Sequence, residues 1–286
     1  MTSLGVTTVR TSSDDFTSIQ RLASPPSVFA HRGSSHTIAE HTTGAYRLAL
    51  AEGADGFECD VGLSADGELV CLHDRTVERT GGLKSEVSSM TLAQLRAVDW
   101  GLWKHGAAPD RDPETGQLMT LRELIELALA AGRPIELAIE TKHPARFGAK
   151  VEEELASLLW EYDLAGAQRE GRTWVRMMSF SESAVSRMSG LCPELPTVFL
   201  IMAPIPPRNL HGALPEGAGT VGLDIAIVRE HPRVVSTHHQ AGHDVFVWTV
   251  DNDDDILMCL ELGVDAIISD RPGRVLEVAG RAPTTL

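Results

Sequence analysis

The sequence predicts an α/β chain folded as a (β/α)8 TIM barrel with a small insertion after the second strand. Short apolar runs of strand character alternate with helical patterns from Ser27 onward. Counting one hairpin as a single strand gives eight such units in about 260 residues, the size of a (β/α)8 barrel. The first strand is not followed by the glycine-rich phosphate loop that open doubly wound sheets usually carry.

The elements follow in order. "SVFAHR" is the first strand. "AEHTTGAYRLALAEG" is a helix, with Ala45, Leu48, Ala49 and Glu52 on helical spacing and Gly53 ending it. "GFECDVGLS" and "LVCLHD" are strands joined by "ADGE", whose Asp-Gly is a hairpin signal. "LRELIELALAAG" is a helix closed by Gly132, "IELAIETK" a strand and "KVEEELASLLWEYDL" a helix. "WVRMMSF" is a strand, "SESAVSRMSGL" a serine-capped helix, "TVFLIM" a strand and "TVGLDIAIV" a further single strand. "PRVVSTHHQAG", "DVFVWTV", "DDDILMCLELG", "AIISD" and "PGRVLEVAG" then alternate helix and strand, with Pro272 near the start of the last helix. Residues 1–25, rich in Ser and Thr, read as a flexible arm, and residues 26–286 as a single catalytic barrel. The segment from Val77 to Met119 is too long for a βα loop. It holds a small helix, "TLAQLRAVD", and a polar stretch, "GAAPDRDPETGQ", and is expected to cap one side of the barrel mouth.

Net charge is −15, which argues against nucleic acid or an anionic membrane as partner, since both reward a basic face. An anionic substrate would therefore need a local positive island. The four cysteines, Cys59, Cys71, Cys192 and Cys259, form no C-x-x-C pair and read as buried free thiols. The first residues lack a basic region leading into an apolar core, with Asp14 and Asp15 where that core would lie, so no secretory signal is expected. No apolar run approaches the length of a membrane span. The expectation is a cytoplasmic protein without stable membrane insertion.

In such a barrel the chemistry sits at the C-terminal strand ends. The first strand ends in His31-Arg32, the second carries Glu58-Cys59-Asp60 and its hairpin partner ends in His73-Asp74. The third ends in Glu140-Thr141-Lys142, the fourth in Ser179-Phe180, the seventh carries Trp248 and the eighth ends in Ser269-Asp270. Glu58 and Asp60 are two apart and share a face, where they repel unless a positive charge lies between them. With Glu140 they make an oxygen-only donor set for one hard divalent cation, Mg²⁺ or Ca²⁺. Three carboxylates, a divalent cation, Arg32 and Lys142 together leave one positive charge, which suits a phosphodiester monoanion. His31 and His73 both face the mouth and can serve as general base and general acid. Trp248 is placed as an apolar wall for the substrate, and Glu40 stands on the rim as a further substrate-binding candidate. His36 and His41 are expected on a surface loop and helix.

"HRG", Glu40 at a helix start, "GADGFECDV", "ADGELVCLHD…TVERTGG", "IELAIETK" and "GVDAIISDRPG", in this order, resemble the glycerophosphodiester phosphodiesterase family over about residues 27 to 280. The resemblance implies a (β/α)8 barrel with an insertion after the second strand. It implies hydrolysis of a small-molecule glycerophosphodiester to sn-glycerol 3-phosphate and an alcohol. Metal ligands then fall on Glu58, Asp60 and Glu140, the acid/base pair on His31 and His73, and phosphate contacts on Arg32 and Lys142. The family usually has Asn after the glutamate that opens the first helix, whereas this chain has His41. A phospholipase D-like enzyme on lysophospholipids or sphingolipids is the related alternative. Leu102 and Trp103 are the apolar residues that "GLWKHGAAPDRDPETGQLM" offers a lipid, which favours a soluble headgroup. A non-catalytic barrel binding a phosphorylated ligand would be expected to lack one of the histidines or carboxylates, and all five are present.

Overall fold

The computed structural model describes residues 25–107, 110–167 and 171–281, so the expected arm lies outside the described residues except for Pro25. Nine strands form: β1 Ser27–His31, β2 Gly56–Leu63, β3 Leu69–Cys71, β4 Glu136–Thr141, β5 Trp174–Ser179, β6 Thr197–Ile201, β7 Thr220–Asp224, β8 Asp244–Trp248 and β9 Ala266–Ser269. Eight of them are parallel, in the order β1-β2-β4-β5-β6-β7-β8-β9, and β9 pairs back onto β1 to close the barrel. β3 folds antiparallel onto β2 through the "ADGE" turn, pairing Leu69 with Leu63.

Alternation along each strand divides the side chains between two cores. Phe29, Ala138, Met178, Val198, Leu200, Phe246, Ala266 and Ile268 fill the barrel interior. Phe57, Cys59, Val61 and Leu63 of β2 face outward into the layer between sheet and helices. Gly56 is a size match to Phe29: a Cβ there would lie 2.5 Å from the phenyl ring. The register also sets the site, because His31 pairs across from Glu58 and Asp60 across from Glu140. All four cysteines are buried and free.

Two element boundaries differ from the sequence reading. The first helix spans Thr43–Glu52, because the Thr42 hydroxyl accepts from Ala45 N and caps it there; Glu40 therefore precedes the helix. "TVGLDIAIV" is not one strand. β7 stops at Asp224, whose carboxylate accepts from Ala226 N and starts a helix at Ile225–Glu230. Between β3 and the helix Leu121–Leu129, the chain makes short helices at Glu78–Gly81, Leu92–Arg96 and Leu102–His105. This stretch carries a small core of its own: Val77, Val87, Leu95, Trp100 and Leu118 bury against Val70 and Leu72. The Trp100 indole N–H is satisfied by Leu95 O at 2.9 Å. Lys104 reaches Ser35 O, and His105 Nε2 accepts from Ala39 N at 3.2 Å, so the stretch leans on the loop after β1.

Candidate active site

The turn after β1 is forced by its residues. Arg32 takes φ 58° and Gly33 φ 88°, and a Cβ on Gly33 would lie 2.7 Å from the Ala45 backbone. Only glycine fits that approach at that φ. The turn leaves His31 with Nδ1 2.6 Å from Asp270 Oδ1 and Nε2 3.9 Å from Glu58 Oε2. Asp270 is held below the usual carboxylate range: burial pushes it up, but hydrogen bonds from His31 and Ser35 outweigh that. An ionised Asp270 accepts the Nδ1 proton, which leaves Nε2 as the reactive nitrogen.

Glu58, Asp60 and Glu140 converge, with one oxygen from each lying within 4.8 Å of the others, and all three are buried. Burial, then the charge of Asp60, pushes Glu58 well above the ordinary range and lifts Glu140 to about 8. Burial works the same way on Asp60. There the Arg32 guanidinium, the hydrogen bond from His41 and the Lys142 ammonium prevail and hold it well below its ordinary value. Arg32 Nε lies 3.0 Å from Asp60 Oδ2, and Lys142 Nζ lies 2.9 Å from Asp60 Oδ1 and 2.7 Å from Glu140 Oε1. Asp60 Oδ1 and Glu140 Oε1 nevertheless make no hydrogen bond of good geometry. Buried carboxylate oxygens left in this way, in an all-oxygen donor set, fit a hard divalent cation.

His73 sits across the mouth, its Nδ1 2.7 Å from Asp74 Oδ1. Burial lowers its pKa, with Arg32 and Lys142 adding to the effect against Asp60 and Asp74. Glu40 accepts from Arg32 Nη1 at 3.1 Å and is gripped by both Nη atoms of Arg79 at 2.7 and 2.8 Å. Arg79 also binds Asp74, so one guanidinium links the rim carboxylate to the partner of His73. Trp248 meets the Phe180 ring edge-on at 5.5 Å. His31, Arg32, Glu58, His73, Glu140, Lys142, Phe180 and Trp248 line one cavity of about 120 Å³ at the C-terminal mouth. Asp60 and Glu40 are not part of this lining, and each pairs with Arg32, which is.

His36 is exposed, as expected, but His41 is not. It is 2% exposed, its Nε2 is 3.0 Å from Asp60 Oδ2, and its Nδ1 is 2.9 Å from the Tyr46 hydroxyl. The surface expectation fails because the chain takes φ 59° at His41 before the helix starts, which folds the ring under Asp60. The sequence reading left out Asp270, Asp74 and Arg79. Asp74 and Asp270 were visible at strand ends, but pairing Asp270 with His31 requires β9 to close onto β1, 239 residues apart. Arg79 gave no signal, since its partners come from separate loops.

The model of the glycerophosphoryl diester phosphodiesterase family matches residues 31–274. A Mycobacterium tuberculosis (strain H37Rv) protein named "Probable glycerophosphodiester phosphodiesterase 1" is 44% identical over 88% of this chain and 92% of its own length. A glycerophosphodiester phosphodiesterase of Caldanaerobacter subterraneus subsp. tengcongensis is 32% identical over 88% of this chain and 96% of its own. Among solved structures, an Oleispira antarctica phosphodiesterase in complex with the product sn-glycerol-3-phosphate superposes with a TM-score of 0.74 at 25% identity, covering 90% of this chain and 97% of the other. A family match across most of the chain, on a closed parallel barrel, places this chain in the glycerophosphoryl diester phosphodiesterase family.

Proposed function

We propose that the protein hydrolyses small glycerophosphodiesters to sn-glycerol 3-phosphate and an alcohol, with Glu58, Asp60 and Glu140 holding one divalent cation, Mg²⁺ or Ca²⁺. The observation that carries this reading is the meeting of His31, His73, Arg32, Lys142, Glu58 and Glu140 in one cavity, with Asp60 completing the carboxylate cluster. The hydrolase class itself follows from family membership. The product bound in the Oleispira phosphodiesterase supports the choice of substrate.

The cation, when bound, neutralises charge on the phosphoryl oxygens and polarises phosphorus toward attack. Arg32 and Lys142 bring positive charge to the same oxygens, and as each already faces a carboxylate, they are held in place before substrate arrives. His31 and His73 each present Nε2 to the cavity with Nδ1 tied to an aspartate, which suits one to take the nucleophile's proton and the other to protonate the departing alcohol. Trp248 and Phe180 form an apolar wall for the glycerol carbons, and Glu40, held by Arg32 and Arg79, anchors the rim. Residues 26–286 would act as one catalytic unit, with the stretch from Val77 to Met119 shaping one side of its mouth. Among the described residues no helix is long and apolar enough to cross a membrane. Release of glycerol 3-phosphate from a panel of glycerophosphodiesters, after chelation and with Mg²⁺ or Ca²⁺ restored, tests the reading. Turnover that survives complete chelation would remove the cation from it, and no turnover of any diester would remove the substrate class.

A further inference from the structure

A second cavity, about 240 Å³, opens beside the first, and His73 and Lys142 line both. Its walls are apolar: Val61 and Leu63 of β2, Leu72, Val87, and Phe147 and Val151 from the loop and helix after β4. Arg75 and Arg146, both exposed, are the guanidinium groups of its lining. The walls are tied in place. Arg146 Nη1 donates to Ser88 O at 3.2 Å, joining the loop after β4 to the Val87–Ser89 turn. That loop is pinned in turn by Glu152, fully buried, which takes His143 Nε2 at 2.7 Å and Arg187. Nothing in the chemistry assigned above uses this space.

Resting on the hydrolase reading, we propose that this cavity receives the departing alcohol of the diester and selects alcohols that carry a short unbranched hydrocarbon chain. His73 and Lys142 line both spaces, so an alcohol that takes its proton from His73 as it leaves phosphorus departs into the second cavity. A chain entering there exchanges water for methylene contacts against walls that need no ordering. The charges of the lining, Arg75, Arg146 and Lys142 against Asp74 and Glu86, largely offset one another, so the apolar walls set the preference.

The test is a series of glycerophospho-n-alkanols from methyl to octyl, with glycerophosphoethanolamine as the short polar reference. In the wild-type enzyme kcat/KM should rise about fourfold per added methylene over the first few, the scale of a buried CH2, and then level off. Ser88→Phe and Ala145→Phe, which narrow the space from the Val87–Ser89 turn and from the loop after β4, should flatten the rise and leave glycerophosphoethanolamine turnover within about twofold. A flat series in the wild type, or an unchanged slope in both variants, overturns the proposal while the hydrolase reading stands. Absence of turnover for every diester, glycerophosphoethanolamine included, overturns the hydrolase reading itself. The wild-type series decides the matter even where a variant fails to fold.

Discussion

The aspartates behind the two histidines carry the sharpest expectations at the scale of single residues. His31→Ala and His73→Ala should each lower kcat by at least roughly 10²-fold, the low end for loss of a positioned proton-transfer group. Cation-induced stabilisation should survive in both, because neither is among the three carboxylates. Asp270→Asn replaces an acceptor by a group that can donate, which disfavours the Nδ1–H tautomer of His31. It should cost at least about tenfold in kcat and displace the limb of the pH–kcat profile that belongs to His31, with melting unchanged. Wild-type kcat and an unmoved profile would show that Asp270 does not act through the histidine. Apart from Glu40, the site residues named from sequence belong to strand ends, where alternation dictates which side chains face inward. What escaped notice depends on closure and on loop contacts: Asp270 meets His31 only across the β9–β1 seam, and His41 turns inward through a single left-handed residue.

Individual elements were legible where local chemistry is strong. Gly53 ends the first helix in a left-handed conformation, Ser181 caps the helix Glu182–Leu191, and the Asp-Gly turn makes the hairpin. The end of β7 was not, because Ile225, Ile227 and Val228 continue an apolar run that fits strand or buried helix alike, and the Asp224 cap decides it. The stretch from Val77 to Met119 looks polar in sequence, yet the five residues it gives to the small core are spread thinly enough to hide it. That core shares Val70 and Leu72 with the hairpin, so its loss should be felt in the barrel. Trp100→Ala empties a site 2% exposed and is expected to cost about 3–5 kcal/mol in chemical denaturation. Were the stretch a detachable cap, the main transition would stay put and only KM would move.

For the molecule as a whole, the proposed cation site would couple folding and proton binding through the carboxylate cluster. Burial lifts Glu140 to about 8 and Glu58 well above its ordinary value, so the folded protein without a cation holds protons that the unfolded chain gives up above about pH 4.5. The stability Glu140 contributes is fully present below that pH and is lost as pH rises through about 8, and Glu58 has the same sign. Asp60 has the opposite sign. Its folded value lies well below the ordinary one, so its contribution is present above about pH 4 and is lost only in acid, outside this window. A divalent cation bound by the same oxygens displaces the protons, and its affinity therefore climbs with pH. Thermal melting in chelator should show a falling Tm from pH 5 to pH 8, whereas saturating Mg²⁺ or Ca²⁺ should remove the fall. The gain in Tm on adding cation should be clearly larger at pH 8 than at pH 5. Glu58→Gln should lose most of that gain and also flatten the chelated profile, since a neutral amide has no proton to release. An equal gain at both pH values in the wild type would mean that the cation binds elsewhere or that these glutamates are already ionised without it.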